Sequence, residues 1–290
     1  MTESQSNARM ETNVVKVQGV DPNFLAKYTE EDHSLDTLKE HRIVPRLKII
    51  QAPSDINLKA AFGEGSLIVR PGDTLICKFN AEPKTFKFVP LFFFVEYAKW
   101  LDLKDANSKV KGPIVERVFD STSPIAIKAK DPNKRREVYE GYEHKPENEK
   151  YYYRYVEHLR FIGLIYGEHP LVGTPITLSF ERGEFSQGKN FISAIMLRRQ
   201  MIDGQSKQVP LWAQVWQFSV QFKAPDANRK WYGLKFEAAD PSIIQESEAE
   251  AMRTLNKEFK ELFNQQRLLV QEDVADEDKE IGSVEATDAF

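Results

Sequence analysis

A chain of 290 residues with 41% hydrophobic and 11% aromatic content can bury a sizeable core, so a globular body with polar ends is expected. Its one cysteine, Cys77, excludes an internal disulfide and any multi-cysteine zinc site. A net charge of −4 argues against a polyanionic partner until its distribution is read: residues 1–40 carry −4 and residues 272–290 carry −7, which leaves +7 on residues 41–271.

Residues 1–41 read as a polar arm with at most a short helix near 36–40, and lack both a signal-peptide core and an Arg-rich transit character. No apolar run approaches the roughly 20 residues that span a bilayer. A soluble, cytosolic protein without membrane contact is expected.

Residues 42–240 read as β structure. Aromatic and β-branched runs cover 46–51, 66–69, 73–79, 85–99, 114–120, 151–166, 174–182, 189–199, 211–222 and 231–237. Turn chemistry at Pro71-Gly72, Gly112-Pro113, Asp203-Gly204 and Pro225-Asp226 divides them. Many short strands without βαβ alternation imply a closed or nearly closed antiparallel barrel with excursions. Cys77 falls in a strand and reads as a buried, inert thiol. Phe92, Phe93 and Phe94 read as a strand buried on both sides. Trp212 and Trp216 share a strand face with Phe218, Val220 and Phe222, which favours core over an exposed platform; Phe86 and Phe88 are undecided.

Residues 241–271 read as an amphipathic helix, with Asp240 as N-cap and Pro241 at its first position. Met252, Leu255, Phe259, Leu262 and Gln266 form its apolar stripe. That stripe predicts packing on the barrel, with a homodimer seam as the minority reading. Residues 272–290 have too little hydrophobic surface to order and read as a disordered acidic tail.

No phosphate-cradling loop, dinucleotide fingerprint, zincin or nucleophile-elbow motif is present, and the five histidines lack ligand spacing. A non-enzymatic protein with neither metal nor cofactor is therefore expected. Binders of single strands need cations along the phosphates and rings on which bases stack, and several segments supply both. Strand alternation puts Tyr152, Arg154, His158 and Arg160 on a candidate binding face, with Tyr151, Tyr153, Tyr155 and Leu159 facing the core. A hairpin tip between two strands would present Arg182, Phe185 and Lys189, and Arg198 and Arg199 close the following strand. Trp231 and Lys235 share one side of the last strand. Lys128, Lys130, Lys134, Arg135 and Arg136 form a basic loop able to clamp a backbone, or an ordinary solvated one.

The tail carries a second signal. Asp276, Glu277, Asp278, Glu280, Glu285 and Asp288 mimic a polyanion that the basic body would bind. Phe290 with its terminal carboxylate would anchor a partner through one ring and one charge.

The stretch 174–183, then Gly188-Lys189-Asn190-Phe191 and Pro210-Leu211-Trp212-Ala213-Gln214-Val215-Trp216, resembles the core of single-stranded DNA-binding proteins of tailed bacteriophages. The ending Asp288-Ala289-Phe290 resembles their aromatic-terminated acidic tail. This resemblance implies an oligonucleotide-binding (OB) barrel with elaborations, acting on single-stranded DNA in phage replication and recombination in the host cytoplasm. It also implies tail contacts with a polymerase or primase-helicase. Two departures stand: the zinc module of one branch is missing, and 104–149 and the 242–270 helix have no counterpart in compact members. The rival expectation is a phage assembly or regulatory protein whose β-domain binds proteins.

Overall fold

The computed structural model describes residues 43–102, 114–147, 149–226, 229–265 and 267–270, all within one compact unit, His41–Phe290. The polar arm and the acidic tail, Asp276, Glu277, Asp278, Glu280, Glu285, Asp288 and Phe290 included, lie outside the described residues, as does Gln266.

The strands in chain order are β1 (Ile43–Val44), β2 (Arg46–Ile49), β3 (Ser66–Arg70), β4 (Thr74–Lys78), β5 (Thr85–Asp102), β6 (Ile114–Val118), β7 (Arg136–Val138), β8 (Tyr152–Tyr166), β9 (Pro175–Glu181), β10 (Arg199–Ile202), β11 (Gln205–Gln208), β12 (Gln214–Lys223), β13 (Trp231–Ile243) and β14 (Leu269–Val270). Among the described residues four short helices accompany them: α1 (Ile56–Phe62), α2 (Pro124–Lys130), α3 (Phe185–Leu197) and α4 (Ala249–Asn264). The protein is mainly β, as expected. Its main sheet has ten strands paired in the order β13-β12-β5-β8-β9-β2-β3-β4, with β6 on β5 and β7 on β8. The sheet curls into a half-barrel, far enough for Cys77 of β4 to meet the backbone of Val220 on β12.

The long pair β5–β8 is the spine, in antiparallel register from Lys87↔Tyr166 to Asp102↔Tyr152. Its apolar run packs on both sides, as the sequence predicts, with Phe94 buried and Phe92 and Phe93 partly so. One face joins Phe86, Phe88, Leu159, Phe161 and Ile165 to the inside of the curl. The other joins Val89, Leu91, Phe94, Ile162 and Leu164 to Met252 and Phe259 of α4. Pro90 is tolerated in this central strand because the register shifts between it and Phe92. Opposite it, Gly163 is required: a Cβ there would stand 2.2 Å from the carbonyl oxygen of Val89 and 2.4 Å from the Phe88 ring. Cys77 is buried, and burial pushes its thiol up to about 12, as an inert core sulfur requires.

Several expectations are corrected. The run 189–199 is not a strand: α3 occupies Phe185–Leu197. Gly188, Phe191 and Ile195 recur at helical steps and turn inward, so Phe191 packs among Phe161, Phe180, Trp216, Phe218 and Phe236 inside the curl. The buried residues of the segment fall at helical rather than alternating steps, and that period decides its form. Asp240 and Pro241 start no helix, because β13 runs on to Ile243. A strand at the sheet's edge accepts a proline, and the β12–β13 register is irregular here. The C-terminal helix starts later, through a turn at Glu246–Glu248 closed by a reciprocal capping box between Gln245 and Glu248. Its stripe of Met252, Leu255, Phe259 and Leu262 does pack on the sheet.

Trp216 and Phe218 are core, but Trp212 sits half-buried in a turn, Leu211–Ala213, and Phe222 is 46% exposed. Phe86 and Phe88 are buried. Among the described residues, no helix is long and apolar enough to cross a membrane.

Candidate functional site

A break in strand pairing creates a strongly charged concavity. Along one edge of β8, β7 pairs with Tyr152 to Arg154, and the Tyr155 amide donates to the Arg135 carbonyl at 2.9 Å. Pairing with β9 begins only at His158↔Glu181. Val156 and Glu157 therefore fall between the end of β7 and the end of β9, and the sheet parts there. After Glu181 the chain turns through Arg182–Glu184 into α3, with Arg182 at φ +49 in the left-handed region. That turn swings Phe185, Ser186 and Lys189 back toward the gap.

The result is a cleft of about 630 Å³ lined by Arg135, Arg136, Arg154, Tyr155, Val156, Glu157, Arg182, Phe185, Ser186 and Lys189. Five cations face one carboxylate. The Arg136 guanidinium lies 3.5 Å from the centroid of the Tyr152 ring, whose hydroxyl donates to Glu147. Arg135 Nε donates to the Ala129 carbonyl at 2.8 Å, which fixes its stem. Lys189 Nζ lies 4.8 Å from the Phe185 ring centroid. Burial and a hydrogen bond to Glu137 push the Tyr155 hydroxyl up to about 12, so it stays a neutral proton donor. Such a cleft is suited to phosphates, with a ring at its wall, and less to a neutral ligand.

The structure thus brings together Arg135, Arg136, Arg154, Arg182, Phe185 and Lys189, which the sequence placed on three separate segments. It disperses the others. Arg160 is fully enclosed, and donates to Glu96 Oε1 at 2.8 Å and to Ser179 Oγ at 3.2 Å. It is an interior charge, so its expected place on an exposed face is corrected. His158 is enclosed beside it, and burial together with the Arg160 charge pushes its imidazole down to about 4. Burial pushes the Glu96 carboxyl up, but Arg160, His158 and Arg117 outweigh it and hold the group below the usual range. Tyr152 is also buried, and serves as the seat of Arg136 rather than as an open ring.

The basic loop is likewise corrected. Lys128 and Lys130 belong to the last turn of α2, capped by Ser123, with Pro124 at its start. Lys128 bonds Glu137 and Tyr155, and Lys130 bonds the Ser121 carbonyl. Lys134 pairs with Asp131 at 3.3 Å. The segment of 182–189 is no hairpin tip, and Arg198 and Arg199 close no strand. Arg198 lies 4.9 Å from the Trp216 ring, and Arg199 opens β10 and bonds Ser206. Trp231 donates to Glu184 Oε1 at 2.8 Å, half-buried, while Lys235 is exposed on β13. The sequence reading missed Tyr155 and Glu157 as lining residues, since a gap between two partner strands leaves no trace in alternation.

The chain matches the family described as Pam3 phage gp34-like protein over residues 13–268, and it belongs to that family. No curated protein and no solved structure matches it.

Proposed function

We propose that this member of a phage protein family binds single-stranded DNA without sequence preference and without catalysis, in phage DNA replication and recombination. One observation carries the reading: five cations, from β7 and the residue before it, β8, the β9–α3 turn and α3, converge on one cleft that also holds the Phe185 ring. In this reading the curled sheet is an elaborated OB-like barrel. Arg135, Arg136, Arg154, Arg182 and Lys189 neutralise successive phosphates, and Phe185 supports a base. The acidic tail competes for the same cations at low salt. Once displaced, it recruits a replication protein such as a polymerase or primase-helicase through Phe290, in the host cytoplasm.

The test is a tryptophan-fluorescence titration with unstructured single-stranded DNA, comparing the full chain with a 1–271 truncation. Expected are quenching, little dependence on base sequence, and tighter binding by the truncation at low salt. The logarithm of affinity should fall with the logarithm of salt by about 0.7 per phosphate contacted. Absence of binding by either form in low salt would overturn the reading and favour an assembly or regulatory protein that uses the β-domain for protein contacts.

A further inference from the structure

Building on the single-strand reading, we infer that Phe79, Phe222 and Tyr232 form a second subsite, which stacks the bases of the strand whose phosphates occupy the cleft. Alternation along β12 points Phe222 to the same side as the buried Trp216, Phe218 and Val220, yet Phe222 is 46% exposed. The sheet's curl ends there. Phe222 lies 5.3 Å from Tyr232 and 6.5 Å from Phe79, ring centroid to centroid, and Phe79 meets Tyr232 edge-on at 5.5 Å.

The trio is seated firmly. Gln51 holds the backbone of Tyr232 from both sides, donating to its carbonyl at 2.7 Å and accepting from its amide at 2.9 Å. Gly65, at φ +77, lies so close that a Cβ would stand 2.8 Å from the Tyr232 ring, so only glycine gives the ring its place. An ordered ring loses little entropy when a base stacks on it.

Charge selects the occupant. Lys78, Lys223, Arg229 and Lys230 adjoin the three rings in sequence or across the strand pair, and Lys84 follows Pro83, whose carbonyl accepts from the Lys78 amide. Three acids offset part of this: Glu82 pairs with Lys84 at 3.7 Å, Asp226 with Arg229 at 2.5 Å and Glu184 with Lys223 at 2.7 Å. Lys78 and Lys230 add positive charge beyond these pairs. Lysine is depleted at protein–protein interfaces, whereas rings set among cations suit a single strand.

The subsite also adjoins the cleft through one turn. Trp231, next to Tyr232, packs on Gly183, where a Cβ would stand 3.3 Å from its indole, and it donates to Glu184. Arg182 of that same turn lines the cleft. The turn 182–184 thus meets the cleft through Arg182 and the strand that carries Tyr232 through Trp231.

The test uses the full-length protein, Phe222→Ala and Phe222→Tyr, with two labelled strands of equal phosphate count, one of thymidines and one abasic, in fluorescence anisotropy across a salt series. Phe222→Ala should weaken thymidine-strand binding about tenfold with an unchanged salt slope. It should leave the abasic strand unaffected, and Phe222→Tyr should retain affinity. If wild type binds the thymidine strand and Phe222→Ala binds it equally well, the stacking subsite is wrong while the single-strand reading stands. If wild type binds neither strand, both fall. A Phe222→Ala variant that instead changes sedimentation, turning an oligomer into a monomer, would assign the rings to a second copy of the chain and overturn base stacking.

Discussion

Arg154 and Arg160 stand six residues apart on one face of β8, and their surroundings are opposite. Arg154 lines a cleft with four other cations. Arg160 is enclosed, and its charge is answered by Glu96 at 2.8 Å. Strand alternation fixes the side on which both project but says nothing of what covers that side. From His158 onward β9 pairs with β8 and that stretch is enclosed; short of it, pairing passes to β7 and the sheet parts. The same residue type therefore does interior work in one half of the strand and surface work in the other.

The largest effect that can break this comparison is on stability. Removing one member of a buried ion pair leaves the other charge uncompensated, at a cost of about 3–5 kcal/mol. Arg160→Met should lower the free energy of unfolding, read from guanidinium titration at neutral pH, by that much. Adding Glu96→Leu should recover most of the loss, since replacing both members of such a pair is often near neutral. A single Arg160→Met variant as stable as wild type, or one that loses DNA affinity without losing stability, would return Arg160 to the binding surface.

A smaller effect follows from His158. Its imidazole is held down to about 4 by burial and by Arg160, against an ordinary value of 6.5. Between these values the unfolded chain takes up a proton that the folded one refuses, so stability is complete above pH 6.5 and falls as pH drops toward 4. The slope should reach at most about 1.4 kcal/mol per pH unit. The depressed Glu96 carboxyl adds a further loss only below the ordinary carboxylate range. Urea midpoints from pH 7 to 4.5 should show this decline, and His158→Gln should flatten it. An equal decline in that variant would place the sensitivity elsewhere.

How far the sequence carries can be read from the same elements. The β5 and β8 runs were legible because most residues in them are apolar or aromatic, and a buried spine needs that. The α4 stripe was legible through its period, although its start was not: Asp240-Pro241 is a strong helix signal that lost to the continuation of β13. In α3, Gly188, Phe191 and Ile195 carried a helical period that a strand reading of Phe191, Ile192 and Ile195 passes over. The cleft was legible as residue types but not as a place. Arg135, Arg154 and Arg182 meet only because the registers of β7 and β9 on β8 leave a gap, and register depends on partners that one strand's sequence does not name. Phe222 shows the converse, since its alternation predicts core and only the end of the curl exposes it.

The smallest stability change should accompany the largest change in binding character, and it falls on the cleft side of the comparison. Arg182→Gln and Lys189→Gln remove surface cations and should shift unfolding by no more than about 0.5 kcal/mol. Their signature is instead in salt dependence: each should reduce the slope of log affinity against log salt for single-stranded DNA by about 0.7, and the two together by about twice that. This separates phosphate contact from folding damage, because a destabilised protein loses active fraction without altering the slope. It also separates the cleft from the ring cluster, because Phe222→Ala should lower affinity at every salt concentration in parallel. A slope unchanged in the Arg182→Gln, Lys189→Gln double variant would mean that no phosphate lies against these side chains, and the cationic cleft would then need another ligand.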